Sequence, residues 1–595
     1  MKSSRFGVAT GLFLLAAMHA SCSSDSTGGG AAGAGAPPSK TYPDGSIEPT
    51  ASCVAEGGTS AVQSPVLVHN LKGDKSWAET GWFSSPAIVK LDTSGKSYIV
   101  APFYSLFVFD SAGTCVATIK KDDYTQGRIY APAVIADLDG DGVIEVVAAG
   151  GKGTVGAYEW KEGTLKIKEG WPASTSCGGE SPENRGMAAA DLDGDGKIEV
   201  VVTTTNTSDT GSQVFVFSAD GKVYQPAGVS WPAWPRYNTL SGPGGDADAN
   251  GMGHHGYGCY GLNVGIGNID DDAQLEILAT YDNHHINAFK PDGTSIKAAP
   301  YFTNRDSKYK DMPLDWGQFI RWYDPAVEEQ HYHLHQGDWP DVNKTMWLQW
   351  TASPPSVGDI DGDGKNEVVG FPNAEMKEPY ETQGFALMVL QGAHGDGSRS
   401  AMRMPGFENL PMSGKPAVRE SGDWYPPDGV PSPVLANILG DSHPEILASL
   451  NDGAVYAYGS DAQVRWSYNF AGGAPKTFAS EPVVADLNKD GRPEIIFGTY
   501  SLSENGGHLI ILDNTGALLF DITLQNQAKN GNGIGVPAAP AVGDLDGDGT
   551  LEIALTSFDH GLDIYNVPGS GTGCQPWPTG RGNTLRNGQG YSYVK

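Results

Sequence analysis

The stretch Asp137-Leu-Asp-Gly-Asp-Gly-Val-Ile-Glu145 decides the fold, because the chain repeats it almost letter for letter. Further copies are DLDGDGKIE from Asp191, NIDDDAQLE from Asn268, DIDGDGKNE from Asp359, DLNKDGRPE from Asp486 and DLDGDGTLE from Asp544. Oxygen-bearing side chains stand at positions 1, 3, 5 and 9, and glycine bends most copies between them. Such a loop wraps a hard cation like Ca²⁺, which takes about six to eight oxygen ligands. One copy would fit an acidic surface turn, but six copies at matching points of a repeat predict a calcium array.

In each loop we expect ligands from the side chains of positions 1, 3, 5 and 9 and from the backbone carbonyl of position 7. The predicted ligands are Asp137, Asp139, Asp141, Val143 and Glu145; Asp191, Asp193, Asp195, Lys197 and Glu199; Asn268, Asp270, Asp272, Gln274 and Glu276; Asp359, Asp361, Asp363, Lys365 and Glu367; Asp486, Asn488, Asp490, Arg492 and Glu494; and Asp544, Asp546, Asp548, Thr550 and Glu552. The six loops predict about six Ca²⁺ ions. A structural role is expected, because each ion neutralises carboxylates that otherwise repel one another.

Two further segments have the place of the loop in the repeat without its ligands. NILGDSHPE from Asn437 has Leu439 at position 3, and KLDTSGKSY from Lys90 has lysine at position 1 and Tyr98 at position 9. We expect both to be structural copies that hold no ion. They make eight units, beginning at 90, 137, 191, 268, 359, 437, 486 and 544, and the shorter intervals of about 47–58 residues suit a four-stranded blade.

The segments around the loops are typical of short β-strands. Apolar segments such as PAVIA from Pro132 and PVVA from Pro482 precede the loops, and β-branched runs such as EVVVTT from Glu199 follow them. Short strands, Gly-rich turns and a fixed period predict an all-β fold, a single β-propeller of about eight four-stranded blades with loop insertions. A linear array of calcium-binding units is the alternative, and the contiguous copies without linkers favour the propeller.

The units resemble FG-GAP/VCBS repeats, the kind that build the propeller of the integrin α-subunit. The resemblance covers residues 80–570 approximately and rests on the loop motif and its flanking strands. It implies a calcium-binding β-propeller, and the seven blades of integrin-type propellers make seven the alternative to eight. It implies no particular activity, because one propeller scaffold hosts many functions.

The N-terminus predicts export. Lys2 and Arg5 precede an apolar stretch, residues 6–18, that is too short to span a bilayer. Small residues before Cys22 and a Ser/Gly/Pro-rich segment after it resemble a bacterial lipoprotein signal, which implies lipidation of Cys22; ordinary secretion is the alternative. The expected parts are a signal peptide at 1–21, a flexible tether at 22–55 and the propeller at 56–595, anchored by lipid at the bacterial outer membrane or cell surface.

The net charge of the chain indicates which classes of partner it does not bind. A net charge of −31 argues against binding to nucleic acid or electrostatic binding to anionic lipid. Bound Ca²⁺ would offset part of that charge, because many of the carboxylates lie in the ion loops. A monomer is expected, with membrane contact only through the lipid anchor.

Two features at the ends of the repeat predict local structure. Cys53 lies just before the first unit and Cys574 just after the last, and a propeller brings its termini together, so a Cys53–Cys574 disulfide is expected in an exported protein. WPTGRGNTL from Trp577 resembles WPRYNTL from Trp234. We interpret these segments as packing elements at blade edges rather than recognition loops, because tryptophan buries a large area.

Three consecutive units, beginning at 191, 268 and 359, carry insertions at about 241–262, 294–353 and 373–430. Long loops on a rigid scaffold are where binding residues concentrate. The candidate ligand face comprises His254, His255, His284, His285, Arg305, Arg321, His331, His333, His335 and Trp339. The HYHLH segment could ligate a transition metal, but the first and last of its histidines lie about 13 Å apart on a strand, so solvated histidines or a glycan-binding face are the alternatives.

The sequence therefore predicts a surface-anchored, calcium-stabilised propeller that acts as a binding or adhesion module for a glycan or an extracellular protein. The competing class is a polysaccharide-active enzyme, because one bacterial family of rhamnogalacturonan lyases uses an eight-bladed calcium propeller of similar repeats. No catalytic motif of that family can be matched in this chain, so no catalytic residue is assigned. A purely structural envelope component is the third possibility.

Overall fold

The structure is a computed structural model that describes residues 52–58, 61–120, 128–206, 212–225, 263–280, 286–300, 315–317, 322–323, 346–350, 354–375, 384–385, 387–407, 431–441, 443–450, 452–474, 477–501, 507–525, 533–558 and 560–589. These residues form strands, turns and bends, with no helix among them. Within these ranges no helix is long and apolar enough to cross a membrane.

The described residues form 36 β-strands. In chain order they are β1 Val66–Leu71, β2 Ala87–Lys90, β3 Ser97–Pro102, β4 Leu106–Phe109, β5 Cys115–Ile119, β6 Val134–Ala136, β7 Glu145–Ala149, β8 Thr154–Lys161, β9 Thr164–Ile167, β10 Ala173–Ser174, β11 Asn184–Ala190, β12 Glu199–Thr204, β13 Val214–Phe217, β14 Val264–Gly267, β15 Glu276–Thr280, β16 Ile286–Phe289, β17 Trp322–Tyr323, β18 Met346–Gln349, β19 Ser356–Gly358, β20 Glu367–Gly370, β21 Asn373–Glu375, β22 Gly384–Phe385, β23 Met388–Gln391, β24 Val434–Ala436, β25 Glu445–Ser449, β26 Ala454–Tyr458, β27 Val464–Asn469, β28 Thr477–Ala479, β29 Val483–Ala485, β30 Glu494–Ser501, β31 His508–Leu512, β32 Leu518–Thr523, β33 Ile534–Gly535, β34 Ala541–Gly543, β35 Leu551–Thr556 and β36 Leu562–Val567.

Eight antiparallel sheets form the blades of a β-propeller. Blade 1 contains β2–β5, blade 2 β6–β10, blade 3 β11–β13, blade 4 β14–β16, blade 5 β19, β20 and β23, blade 6 β24–β27, blade 7 β28–β33, and blade 8 β34–β36 with β1. In blades 3, 4 and 5 a single β-bridge continues the sheet beyond its third strand, at Phe217–Val223, Phe289–Ser295 and Leu390–Arg403. The predicted all-β, eight-bladed fold is confirmed, and the seven-bladed alternative is wrong.

Side-chain burial decreases along each blade, from apolar strands near the centre of the ring to amphipathic strands at its rim. The first strands of most neighbouring blades contact one another: β34 contacts β2 and β29, β11 contacts β6 and β14, and β19 contacts β14 and β24. The strands that directly follow the acidic loops, such as β7, β12 and β30, are buried along their whole length, since neighbouring blades cover both faces. The outer strands β27 and β32 alternate between exposed and half-buried residues. This gradient explains why β-branched runs follow the loop motif.

The chain closes the ring by pairing its two ends. β1, from the N-terminal side, pairs antiparallel with β36, so that Val66 lies opposite Asn566 and Leu71 opposite Leu562. The predicted disulfide is formed between Cys53 and Cys574, across 521 residues of sequence. Both links join the first and last parts of the propeller, so opening the ring requires breaking both.

The segment 574–589, here called the axial segment, lies among the first strands of all eight blades. Its bonds to blades 1 to 8 are, in order, Thr579 Oγ1 to Pro86 O, Ile135 N to Thr584 O, Ala189 N to Leu585 O, Ile266 N to Asn587 O, Val357 N to Gly588 O, Arg581 Nη1 to Ser432 Oγ, Val484 N to Trp577 O, and Val542 N to Pro578 O. Trp577 is buried and its Nε1 donates to Glu481. Trp577 is thus a packing residue as expected, but it lies at the axis of the ring and not at a blade edge.

A ninth sheet lies outside the blades. Its strand order is β17-β18-β21-β22, with Trp347 of β18 opposite Glu375 of β21. β17 and β18 belong to the insertion at 294–353, and β21 and β22 to the insertion at 373–430. We call it the accessory sheet; it joins two of the three predicted insertions.

Candidate metal centres

Each acidic loop connects two consecutive strands of its blade, the first two in every blade except blade 7, where the loop at Asp486 lies between β29 and β30. In blade 2, β6 ends at Ala136 and β7 begins at Glu145, so the loop occupies the turn between them. Asp137 Oδ1 accepts from the N–H of Gly140 at 2.8 Å, and its Oδ2 accepts from Gly142 at 2.8 Å. Both glycines have φ near +80°, in the left-handed region that favours glycine. The position-1 carboxylate and the two glycines therefore shape the turn.

The same bonds recur in the other close copies. Asp191, Asp359 and Asp544 accept from the glycines at positions 4 and 6 over 2.7–3.1 Å. In the looser loop at Asp486, Oδ2 accepts from Gly491 at 2.8 Å. The repeated geometry explains why the motif recurs almost letter for letter.

The glutamate at position 9 points back into its own loop. Glu145 Oε2 accepts from the N–H of Leu138 at 2.9 Å, and the corresponding bond joins position 9 to position 2 in the five other predicted ion loops. These carboxyl groups are buried, which raises the pKa of Glu145 and Glu552 to about 7. Burial raises the pKa of Glu199, Glu276, Glu367 and Glu494 to about 8.

Five of the six loops gather three carboxylates whose oxygens lie within 4.8 Å of one another. The groups are Asp137, Asp139 and Glu145; Asp191, Asp193 and Glu199; Asp270, Asp272 and Glu276; Asp359, Asp361 and Glu367; and Asp544, Asp546 and Asp548. Glu276 Oε1 is buried and accepts no hydrogen bond, as expected of an oxygen that faces a cation. Hard carboxylate oxygens at this spacing fit Ca²⁺.

The remaining predicted ligands behave differently. Position-5 side chains such as Asp141 accept from the N–H of position 7, here Val143, at 2.8 Å. The gathered groups include position 5 only in the loops at Asn268 and Asp544. In the sixth loop, at Asp486, position 3 is Asn488, and Glu494 still bonds Leu487 at 2.7 Å. Carbonyl ligation from position 7 stays a prediction.

The position-3 aspartates have partners that the sequence motif does not contain. Lys168 Nζ lies 2.7 Å from Asp139 Oδ2. Tyr224 donates its hydroxyl to Asp193 at 2.8 Å, and Lys290 lies 2.7 Å from Asp270. These partners lie 20 to 31 residues after the aspartates they contact, so only the folded blade brings them together.

The two degenerate loops keep the turn without the carboxylate group. In the loop at Asn437, the amide Oδ1 accepts from Gly440 at 2.8 Å and Glu445 accepts from Ile438 at 3.0 Å. In the loop at Lys90, Asp92 accepts from the indole Nε1 of Trp160 at 2.9 Å. Both loops are structural copies of the motif, and their lack of an ion stays a prediction.

Neighbouring loops are linked around part of the ring. The N–H of Ile198 donates to Leu138 O at 2.9 Å, and the N–H of Leu275 donates to Leu192 O at 3.2 Å. In the next pair, Asn366 Nδ2 donates to Asn268 O at 2.8 Å. The loops of blades 2 to 5 therefore form a continuous hydrogen-bonded chain, which couples the order of one loop to the next.

The predicted ligand face and the lipidation residue lie outside the described residues. These residues are Cys22, His254, His255, His284, His285, Arg305, Arg321, His331, His333, His335 and Trp339. Their roles remain predictions.

Residues 137–202 match the FG-GAP-like repeat family, a segment that contains two of the acidic loops. No curated protein matches the chain. Among solved structures, the biofilm matrix protein Bap1 of V. cholerae is 14% identical over 86% of this chain and 92% of its own, with a TM-score of 0.36. The quinohemoprotein alcohol dehydrogenase from Comamonas testosteroni is 13% identical over 88% and 79%, with a TM-score of 0.45. At these values the likeness transfers no activity to this chain.

The blades, the loops and the family match together describe a β-propeller with FG-GAP-like repeats. Its acidic groups are compatible with calcium binding, and its fold is consistent with a binding module.

Proposed function

We propose that this chain is an exported, lipid-anchored, calcium-stabilised β-propeller that binds a glycan or an extracellular protein at the cell surface. The observation that carries the proposal is the accessory sheet. β18 from the insertion at 294–353 pairs with β21 from the insertion at 373–430, so two insertions meet outside the blades. A sheet that adds nothing to the blades is suited to presenting loops to a partner.

The centre of the ring supports the same interpretation. Many ring-shaped proteins bind ligands on their axis, but here the axial segment bonds to the first strand of every blade or to a residue just before it. Arg581 and Arg586, each at most 1% exposed, occupy the space between those strands. Binding is therefore expected away from the axis, on a surface that the insertions build.

The chemistry of the insertions favours a glycan as the first class to test. Sequence stretches around the accessory sheet are rich in His, Trp and Arg, including His331, His333, His335 and Trp339. Tryptophan rings stack on the apolar faces of sugars, and histidine and arginine hydrogen-bond hydroxyl and carboxylate groups. The long tether after Cys22 would hold such a surface away from the membrane.

The test is a glycan array probed with the full mature chain and with a variant in which residues 328–340 are replaced by a Gly/Ser linker of equal length. We expect the variant to lose binding and to keep the calcium-dependent melting temperature of the wild type, because the replacement touches no acidic loop. An Asp544→Ala variant is the matched control: it should lower the melting temperature in calcium and retain binding.

Retained binding by the 328–340 variant would place the binding surface elsewhere. Turnover of a bound polysaccharide, seen as unsaturated uronate product, would replace the binding role with the lyase activity. Protease shaving of intact cells, with release of the propeller, tests the proposed surface location separately.

A further inference from the structure

We propose that the ammonium group of Lys168 is the resident cation of the loop at Asp137, so that this loop, unlike the loop at Asp191, already holds a cation among its ligands and binds no calcium. The inference rests on the proposed calcium stabilisation of the other loops, and it revises the number of ions that the loops hold. It concerns a departure of this chain from its own repeat.

The contacts of Lys168 are those of a cation held by the loop's ligands. Its Nζ lies 2.7 Å from Asp139 Oδ2 and 3.2 Å from Glu145 Oε1, which are two of the three gathered carboxylates. Glu159 Oε1 lies 3.8 Å away on the third strand of the blade. The Lys168 side chain is 6% exposed. Three carboxylates therefore surround one buried ammonium group.

The backbone holds Lys168 in this place. Its N–H donates to Ala157 O at 2.9 Å, directly after β9, and its carbonyl accepts from Trp171 N at 3.1 Å. Because both its N–H and its carbonyl are hydrogen-bonded, this buried lysine has little freedom to move away from the loop. The ammonium group is thus part of the folded blade.

Blade 3 provides a matched comparison. The loops at Asp137 and Asp191 differ in sequence only at position 7. The residue equivalent to Lys168 is Tyr224, because its N–H donates to Val216 O and Val216 pairs with Val201 as Ala157 pairs with Val147. Tyr224 gives Asp193 a neutral hydroxyl at 2.8 Å. Nearly identical loops therefore face a charged group in one blade and a neutral group in the next.

An ammonium group on these oxygens disfavours calcium for two physical reasons. Two of the oxygens that would ligate Ca²⁺, Asp139 Oδ2 and Glu145 Oε1, are already engaged in charge-assisted hydrogen bonds, while Asp139 Oδ1 is buried and accepts none. A divalent ion would also lie a few ångströms from a buried like charge, where repulsion is screened far less than in water. Lys290 in blade 4 differs, because its side chain is 29% exposed and water screens its charge more than that of Lys168. The inference is therefore confined to Lys168.

The test counts calcium ions per chain by native mass spectrometry at saturating calcium. Lys168→Met keeps the length of the side chain and removes the charge, and we expect it to bind one more Ca²⁺ than the wild type. Lys161→Met is the control, because Lys161 also pairs with Glu159 at 2.6 Å but is 41% exposed; its ion count should equal that of the wild type. Adding Asp139→Ala to Lys168→Met should remove the gained ion.

A second measurement does not depend on the folding of the Lys168 variant. In the otherwise wild-type chain, Asp139→Ala should leave the ion count unchanged, whereas Asp193→Ala should lower it by one. Equal counts for Lys168→Met and the wild type, or the loss of one ion on Asp139→Ala alone, would overturn the inference. If the wild type binds no calcium and Asp193→Ala changes nothing, the calcium stabilisation itself is wrong.

Discussion

At the scale of one residue, the glutamate at position 9 takes part both in the turn and in the proposed ion site. One of its oxygens accepts the N–H of position 2, which closes the turn, and in four loops the carboxyl group also belongs to the gathered trio. Burying the group raises its pKa, so in the absence of a cation the folded protein favours the protonated form. Calcium binds the ionised form. The proposed calcium ions would therefore compete with protons for the same carboxyl groups.

The first prediction is that the calcium-free protein loses stability as pH rises. The unfolded pKa of these glutamates is about 4.5 and the folded value about 8 for Glu199, Glu276, Glu367 and Glu494, so between these values the folded state holds protons that the unfolded state has released. The contribution is full below pH 4.5 and disappears as pH rises through 8. In EDTA the melting temperature should fall from pH 5 to pH 8, and in calcium the fall should be suppressed.

Glu494→Gln isolates the effect in one loop. An amide cannot ionise but can still accept the N–H of Leu487, so the calcium-free variant should be about 1–2 kcal/mol more stable than the wild type at pH 8. It should also bind one calcium ion fewer. The exposed Glu162→Gln is the control and should change neither value. A wild-type melting temperature in EDTA that rises between pH 5 and pH 8 would contradict the argument.

The roles of residues outside the motif could not be predicted from the sequence. The recurring Asp and Glu positions indicate the acidic loops, because the copies of a repeat can be compared with one another, but they do not show which three carboxylates gather. Lys168 and Tyr224 occupy equivalent sites with different chemistry. Nothing in the spacing of either residue distinguishes it from an ordinary polar residue on an outer strand, so only the folded blade reveals its role.

At the scale of the element, the acidic loop is a turn first and an ion site second. The degenerate loop at Asn437 keeps the bonds from position 1 to position 4 and from position 9 to position 2 although it lacks carboxylates at positions 1 and 3. The shape of the turn therefore survives the loss of its charge. The blade can gain or lose an ion without rebuilding its backbone.

The second prediction follows from that persistence. The double substitution Asn437→Asp and Leu439→Asp should create an ion site, because Asp441 and Glu445 already stand at positions 5 and 9. We expect one additional Ca²⁺ per chain and a larger rise in melting temperature on adding calcium. The single substitution Leu439→Lys, at an exposed position, is the control and should bind no extra ion. Binding of a divalent ion by the unmodified loop would show that its assignment is wrong.

Elements that recur in every unit could be predicted from the sequence, and elements that occur once could not. The eight units, their loops and the disulfide at their ends follow from matching positions along the chain. The accessory sheet comes from insertions that have no second copy, and its strands β17 and β22 are two residues long. The axial segment has an irregular backbone whose partners are first strands far away in sequence, so the Trp-Pro motif alone does not show that the segment lies on the axis.

At the scale of the whole molecule, the ring is closed from its rim and from its centre. At the rim, β1 completes blade 8 and the disulfide fixes the segment before it. At the centre, Arg581 donates to Val264 O and Pro355 O, each at 2.7 Å, and to Ser432, which belong to blades 4, 5 and 6. Cys574 begins the axial segment, so the same disulfide that fixes the N-terminal side also fixes the entry to the axis. The two closures act together.

The last prediction concerns the central arginines. Arg581→Ala should leave two backbone carbonyls and one hydroxyl without a donor and remove a positive charge from beside the buried Glu481, at a cost of about 3–5 kcal/mol in unfolding free energy. Arg581 has φ of 64°, a strain that alanine shares, so the difference reports the guanidinium contacts. The loss should be the same in EDTA and in calcium, because no acidic loop is touched.

Two variants make this measurement decisive. Arg581→Lys keeps the charge but cannot reach three acceptors in three blades at once, so it should recover only part of the stability. Arg465→Ala removes an exposed arginine that pairs with Asp461 and should change the melting temperature little. If Arg581→Ala has the same melting temperature as the wild type, the axial segment fills the centre of the ring without stabilising it. If it melts far below, the segment holds eight separate sheets to one centre, and calcium acts on blades that are already joined.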